Sequence, residues 1–155
     1  MKKSTIMILL IISTISSIIY ILLDYYGCIR YLYLKYKKSS DNLIENYSNL
    51  GYYDDNKNIV LSLCPSSKDL EKIKPTINSI LDQTIKVNRI FLILDNEEYK
   101  LPEYLSKIVN IIQKSKNYGK GNNIIPMLLK EKECDTIIIG INDNVIYGKD
   151  FLEIL

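Results

Sequence analysis

The chain contains no histidine and no tryptophan, and it has only three cysteines. Without histidine, the commonest acid–base side chain is missing, and no other residues form a triad or a catalytic pair of carboxylates. The cysteines, at positions 28, 64 and 134, do not have the spacing of metal ligands. The sequence therefore gives no sign of a self-contained catalytic centre.

The chain also lacks an excess of charge of either sign. Its net charge is +2 over 155 residues, which gives no indication of nucleic-acid binding. This length allows one domain at most, plus an appendage. Hydrophobic residues make up 47% and charged residues 25%, proportions that are ordinary for a globular protein and exclude disorder over most of the chain.

A long apolar run occupies the N-terminus. Lys2 and Lys3 precede an uncharged stretch from Ser4 to Leu23. A helix of about 20 residues spans about 30 Å, which is the hydrocarbon thickness of a bilayer. We predict that residues 1–23 form a signal-anchor transmembrane helix of a single-pass membrane protein. A cleaved signal peptide and a buried or interfacial helix stay open as alternatives, and basic residues on both flanks leave the orientation undecided.

Residues 24–57 are rich in Tyr, Lys and Asn, and we interpret them as a stalk. Apolar and aromatic residues between Ile29 and Tyr36 recur at helical spacing, so the anchor helix is expected to continue beyond the membrane surface. The polar stretch from Ser39 to Asn42 predicts a break. A polar linker with a short helix near residues 43–47 is expected to follow.

Residues 58–155 alternate apolar runs with helical patterns. Runs rich in Ile and Leu between polar breaks are typical of strands buried on both faces of a parallel sheet. We predict an α/β fold with about four parallel strands and right-handed crossovers. A helix is expected to begin at Pro75, after a short helical turn, because proline suits the first helical position. The predicted strands cover residues 58–64, 87–94, 109–114 and 135–141, and further short helices cover residues 101–107 and 122–130.

Polar residues follow these strands at their carboxyl ends. Ligands of parallel sheets bind outside those ends, where the strand order reverses. The expected strand-end residues are Cys64, Pro65 and Ser66 after the first strand, Asp95 and Asn96 after the second, and Asn142, Asp143 and Asn144 after the fourth. A disulfide between Cys64 and Cys134 is not expected, because parallel strands would place these residues at opposite edges of the sheet.

The stretch from residue 58 to residue 155 resembles the nucleotide-sugar-binding half of GT-A-type glycosyltransferases. The similarity lies in the order of its parts: a strand, a helix ending in Leu-x-Gln-Thr, a strand ending in Asp, a Tyr-Gly segment and an acidic strand end. The matching stretches are "IVLSLCPSSKDLEKIKPTINSILDQT", "RIFLILDN", "NYGKGNNIIPMLL" and "DTIIIGINDNVIYGKDFLEIL". The resemblance implies a partial, Rossmann-like GT-A domain behind the transmembrane helix.

The resemblance also implies a nucleotide-binding site, with a UDP-sugar as the expected ligand. The loop of Cys64, Pro65 and Ser66 would cradle the nucleotide, and Asp95 would lie near the base or ribose. The segment of Asn117, Tyr118, Gly119 and Lys120 would lie beside the nucleotide, with Lys120 near the phosphates. Asn142, Asp143 and Asn144 would hold Mn²⁺ or Mg²⁺ bridging the diphosphate.

The chain departs from the family pattern in its acidic residues and in its length. Active relatives carry Asp at the outer positions of the triplet and commonly before Tyr-Gly, whereas this chain has Asn142, Asn144 and Asn117. A hard dication favours charged oxygen ligands, so the resemblance predicts a weak metal site. The family continues with acceptor-binding elements and a catalytic base beyond the point that corresponds to Leu155. We therefore expect a degenerate or truncated protein, a pseudoenzyme that is inactive on its own.

Three alternatives stay open. The chain is either such a glycosyltransferase-like protein, one half of a split glycosyltransferase completed by a second polypeptide, or a non-catalytic membrane interaction or scaffold protein. An Asn-Asp-Asn stretch after a strand is also typical of a simple turn. The resemblance slightly favours a lumenal C-terminal domain, but the sequence identifies neither sugar nor acceptor.

Overall fold

The computed structural model describes residues 3–37, 40–52, 57–95, 99–114, 116–133 and 135–155. The chain divides into two compact units, Met1–Lys37 and Lys38–Leu155. The predicted strand-end residue Asn96 and the predicted unpaired Cys134 lie outside the described residues.

The first unit is dominated by helix α1, Lys3–Tyr25. Its Ile and Leu side chains are exposed along the whole helix, and the stretch Ser4–Tyr25 is long and apolar enough to cross a membrane. The hydroxyls of Thr14 and Ser17 donate to the carbonyls of Ile11 and Ser13 within the helix, both at 2.9 Å. Because these hydroxyls are satisfied internally, they are compatible with an apolar surrounding. A signal sequence near the N-terminus would meet the same criteria of length and composition.

The predicted continuation of this helix is interrupted at Gly27. Gly27 has a φ of 69°, a left-handed conformation that glycine adopts without a Cβ penalty. Helix α2, Cys28–Leu32, follows at once, and a π-helical turn extends from Tyr33 to Lys37. The helical spacing in this region was thus recognised correctly, but the prediction of one continuous helix was wrong.

The second unit contains a four-stranded sheet within the described residues. Its strands are β1 (Asn58–Leu63), β2 (Arg89–Leu94), β3 (Val109–Gln113) and β4 (Thr136–Ile141). All pairings are parallel, and the spatial order is β3-β2-β1-β4. The predicted α/β class and the parallel sheet are confirmed, with strand ends within two residues of those expected.

Short helices precede, connect and follow the strands. They are α3 (Ser40–Ser48), α4 (Lys74–Leu81), α5 (Glu103–Ser106), α6 (Ile125–Lys130) and α7 (Phe151–Ile154). Pro75 stands in the first turn of α4, and a 3₁₀ turn, Leu70–Ile73, precedes it. The expected helical turn and the expected start near Pro75 are confirmed, because proline lacks the N–H that a first turn leaves unbonded.

The two faces of the sheet are buried by different helices. On one face, Leu61 and Leu92 pack in a large cluster with Ile77 and Ile80 of α4. On the other face, a smaller cluster contains Val60, Phe91 and Ile93 of the central strands and Met127 of α6. The central strands β1 and β2 are therefore covered on both sides, as their continuous apolar sequences predict.

Residues 40–52, which the sequence assigns to the stalk, belong to the second compact unit. Leu43 of α3 is buried in the large core cluster. The phenol oxygen of Tyr47 accepts a hydrogen bond from the backbone N–H of Val87 at 2.9 Å. Burial raises the pKa of Tyr47 to about 12, so its phenol stays neutral at physiological pH. These contacts attach α3 to the segment that leads into β2.

We expect the substitution Tyr47→Phe to loosen this attachment. The change leaves the N–H of the buried Val87 without its acceptor, at a cost of about 1–3 kcal/mol. Hydrogen exchange of the segment around Val87 should accelerate about tenfold or more, since 1.4 kcal/mol corresponds to a factor of ten. Tyr52→Phe is the matched control, because Tyr52 is exposed and should leave the exchange rate unchanged. Equal exchange in both variants would contradict the attachment.

Candidate functional site

The strand order creates a crevice at the carboxyl edge of the sheet. After β1, the chain adds β2 and β3 on one side and then returns to place β4 on the other side of β1. The strand order therefore reverses at β1, and such a reversal point is where parallel sheets bind ligands.

A cleft of about 360 Å³ lies at this edge. Most of the predicted site residues line it, namely Cys64, Pro65, Ser66, Asp95, Asn117, Gly119, Lys120, Asn142 and Asp143. Tyr118 and Asn144 are not among its lining residues. The structure thus brings together residues that are up to 79 positions apart in sequence, from Cys64 to Asp143, because parallel strands all end at one edge.

Lys114 lines the same cleft and was not predicted as a site residue. It directly follows β3, so the strand-end rule that selected Asp95 would have selected it too. Its ammonium group lies 2.8 Å from a carboxylate oxygen of Asp95 and 3.9 Å from the sulfur of Cys64. Burial by itself lowers the pKa of Lys114, but the hydrogen bond and charge of Asp95, together with Cys64, outweigh it and raise the pKa. Lys114 is therefore a buried cation paired with Asp95.

The thiol of Cys64 is not activated. Burial raises the pKa of Cys64, and the neighbouring ammonium of Lys114 offsets this only in part. The thiolate is the nucleophilic form of cysteine, so a raised pKa keeps this group unreactive at neutral pH. Cys64 forms part of the wall of the cleft.

Asp143 joins β4 to the loop after β1. Its Oδ2 atom accepts two hydrogen bonds from Ser66, one from the backbone N–H and one from the hydroxyl, both at 2.6 Å. The backbone carbonyl of Asp143 accepts a further bond from the hydroxyl of Thr76 at 2.8 Å. Asp143 therefore fixes the position of two neighbouring segments at the mouth of the cleft.

The Gln-Thr motif that contributes to the family resemblance fastens the chain after β4. The side chain of Gln83 donates to the carbonyls of Ser79 and Gly148, at 2.8 and 2.5 Å, and accepts from the N–H of Leu152 at 3.1 Å. Gln83 is buried, so these bonds satisfy its amide. The motif follows α4 and holds the segment after β4 in place, but it does not line the cleft.

The loop that carries Lys120 is held by its own asparagines. The side-chain oxygen of Asn117 accepts from the N–H of Gly119 at 2.8 Å and from the amide of Asn122 at 2.9 Å. The oxygen of Asn122 accepts in turn from the N–H of Tyr118 at 2.7 Å. Gly119 has a φ of 61°, where a side chain would be strained. The predicted nucleotide segment is thus a compact turn that presents Lys120 at the cleft.

The residues at the end of β4 do not fit the metal site that the resemblance implies. Asn142 and Asn144 offer neutral amides, and Oδ2 of Asp143, the one carboxylate of the triplet, already accepts two hydrogen bonds. Across the residues that the structure describes, no group of three or more His, Cys, Asp or Glu side chains could hold a metal ion. Mg²⁺ and Mn²⁺ prefer charged oxygen ligands, which this edge supplies sparsely.

Comparison of the chain with protein-family models, with curated proteins and with solved structures finds no match. The resemblance to glycosyltransferases therefore stays a prediction from the sequence motifs.

We expect the paired substitution Asn142→Asp and Asn144→Asp to create a metal site. Two added carboxylates beside Asp143 would give a dication charged ligands, and even 1.4 kcal/mol raises the affinity about tenfold. Titration of Mn²⁺ into the full chain in detergent micelles, with and without UDP, should show tighter metal binding and metal-dependent binding of UDP.

The matched control adds the same two charges elsewhere. Asn46→Asp and Asn110→Asp change two exposed asparagines that do not line the cleft. This control should leave Mn²⁺ affinity unchanged. If the paired variant at the end of β4 gains nothing over the control, the stretch is an ordinary turn.

Proposed function

We propose that the chain is a membrane-anchored, glycosyltransferase-like protein whose α/β unit binds a nucleotide sugar and does not transfer the sugar on its own. The observation that carries this proposal is the cleft at the reversal point of the sheet, which gathers most of the residues that the resemblance assigns to the nucleotide. A UDP-sugar is the expected ligand.

The size and lining of the cleft suit a nucleoside diphosphate. Its volume of about 360 Å³ falls within the range of about 300–1,000 Å³ that is usual for small-molecule sites. The wall carries amides from Asn117, Asn122 and Asn142, and the ammonium of Lys120. Amide and ammonium groups are the donors that phosphate and sugar oxygens accept from. The cleft therefore offers hydrogen bonds and positive charge in one place.

The same residues supply little for the chemistry of transfer. Asp95 is paired with Lys114, and Asp143 is engaged by Ser66. Cys64 is protonated because its pKa is raised, and histidine is absent from the sequence. A general base needs an acceptor that is free to take a proton, whereas both carboxylates are already engaged by neighbouring donors. Binding without turnover is the function that this arrangement supports best.

We expect the full chain in detergent micelles to bind UDP with a Kd of about 1 mM or tighter, which corresponds to about −4 kcal/mol. The substitution Asn142→Trp should weaken this binding at least about tenfold, because the exposed Asn142 lines the cleft and an indole there would fill it. Asn144→Trp is the matched control, since Asn144 is exposed and adjacent but does not line the cleft. Isothermal titration calorimetry measures all three.

Two results would change the conclusion. If wild-type protein shows no affinity for UDP, the α/β unit is a scaffold domain rather than a nucleotide-binding one. If the purified chain turns over a UDP-sugar with Mn²⁺ above background, it is an active enzyme.

We further expect α1 to be an uncleaved anchor. The wild-type chain should resist extraction from membranes by alkaline carbonate, and intact mass spectrometry should find residues 1–37 still attached. Ile11→Glu with Ile15→Glu should release the protein, because each charge near the centre of a helix costs about 2.5–3.5 kcal/mol on insertion scales. Leu128→Glu with Leu129→Glu is the control, since both residues are exposed in α6. Loss of the N-terminal segment would identify a signal peptide instead.

A further inference from the structure

We propose that the cleft binds the diphosphate of its nucleotide without a divalent metal. In this proposal Lys120 supplies the positive charge, and Asp143 acts as an internal latch rather than as a metal ligand. The proposal rests on the proposed function and specifies how the same cleft recognises its ligand.

The hydrogen bonds of Asp143 are the first reason. Two donors of Ser66 lie 2.6 Å from the same carboxylate oxygen, the short distance of bonds to a charged acceptor. A metal bound at that oxygen would compete with both donors and would release the loop after β1 from the end of β4. The flanking Asn142 and Asn144 contribute only neutral amide oxygens, which a dication binds less well than carboxylates. Oδ2 of Asp143 is therefore already engaged in holding the cleft together, which leaves a dication at most one charged oxygen of the triplet.

The distribution of charge in the cleft is the second reason. The lining contains two acidic residues, Asp95 and Asp143, and two basic residues, Lys114 and Lys120. Asp95 is neutralised by the buried Lys114 at 2.8 Å, and the charge of Asp143 is stabilised by the two donors of Ser66. Within the described part of the chain, no ion pair involves Lys120. Lys120 is thus the lining charge left to interact with an anion.

The position of Lys120 is fixed by the turn that carries it. Asn122 donates to Asn117, and their side-chain oxygens accept hydrogen bonds from the backbone N–H groups of Tyr118 and Gly119, at 2.7–2.9 Å. The backbone of Lys120 is therefore held at the cleft before any ligand arrives, which reduces the ordering that binding requires. An ammonium on this turn can take the role that a dication has in related sites, because both neutralise the charge of a diphosphate.

The experiment compares three probes with the full chain in detergent micelles: UDP, uridine and inorganic diphosphate, each in EDTA and in Mn²⁺. We expect the affinity for UDP to be the same in EDTA and in Mn²⁺ within about twofold. Lys120→Met should lower the affinity for UDP and for inorganic diphosphate by about tenfold and leave that for uridine unchanged. Lys120→Arg should retain the affinity, because it keeps the charge.

The control is Lys116→Met. Lys116 is a neighbouring exposed lysine whose ammonium lies 5.1 Å from the ring centre of Tyr118, and it does not line the cleft. Its loss should not change the affinity for any probe. Circular dichroism of each variant checks that the fold is retained, which the exposure of both lysines favours.

The outcomes separate this proposal from the function on which it rests. Binding of UDP that requires Mn²⁺ would overturn metal independence and leave the proposed function standing. Metal-free binding that is insensitive to Lys120→Met would overturn the assignment of the charge to Lys120. Absence of UDP binding in EDTA and in Mn²⁺ alike would overturn both proposals.

Discussion

The parallel pairing of β1 with β2 on one side and β4 on the other is the constraint on which the rest of the structure depends. Parallel strands bring all their carboxyl ends to one edge and require both faces of the sheet to be covered. The continuous apolar sequences of β1 and β2 meet the second requirement, with α4 on one face and α6 on the other. The first requirement collects the polar strand ends into the cleft. The hydrophobic core and the candidate site thus both follow from the parallel pairing of the strands.

The arrangement at the carboxyl edge depends on a single residue, Asp143. Strands β1 and β4 pair along their length, and Asp143 continues the connection beyond the strands through its bonds to Ser66 and Thr76. A carboxylate that accepts two short hydrogen bonds stabilises the folded chain only while it keeps both donors. A metal ligand, in contrast, needs lone pairs that are not already used in hydrogen bonds. The geometry at Asp143 favours the first role, which agrees with the presence of asparagine on both sides.

The sequence predicted the elements that depend on local chemistry. The strands followed from apolar runs between polar breaks, and the start of α4 followed from Pro75. Contacts between residues that are distant in sequence are harder to predict. The hydrogen bond between Tyr47 and Val87 attaches α3 to the segment that leads into β2, and the spacing of residues 40–52 does not predict it. The break at Gly27 lay within a good helical pattern, because periodicity reports a common face and not the continuity of the backbone.

The sequence predicts most of the residues that line the cleft but not the ion pair within it. The strand-end rule identifies Asp95, but β3 is short and half polar, so its pattern does not mark the residue after it as a site residue. That residue, Lys114, carries the buried charge that neutralises Asp95. Tyr118 was assigned to the cleft from its place in a motif, whereas the cleft is lined by its neighbours Asn117 and Gly119. A motif specifies the order of residues, whereas the conformation of the turn determines which of them line the cleft.

The position of β4 also has a consequence for how the protein matures. Asn58 of β1 pairs with Thr136 of β4, 78 residues later, while β2 and β3 lie between them in sequence. Contacts of such long range form late, because a large loop must close first. During synthesis, three strands emerge before β4 is available, and one side of β1 stays bare until residue 141 has left the ribosome. Asp143 follows β4 directly enough to arrive with it, so the cleft that it lines is completed only after β4 has been added to the sheet.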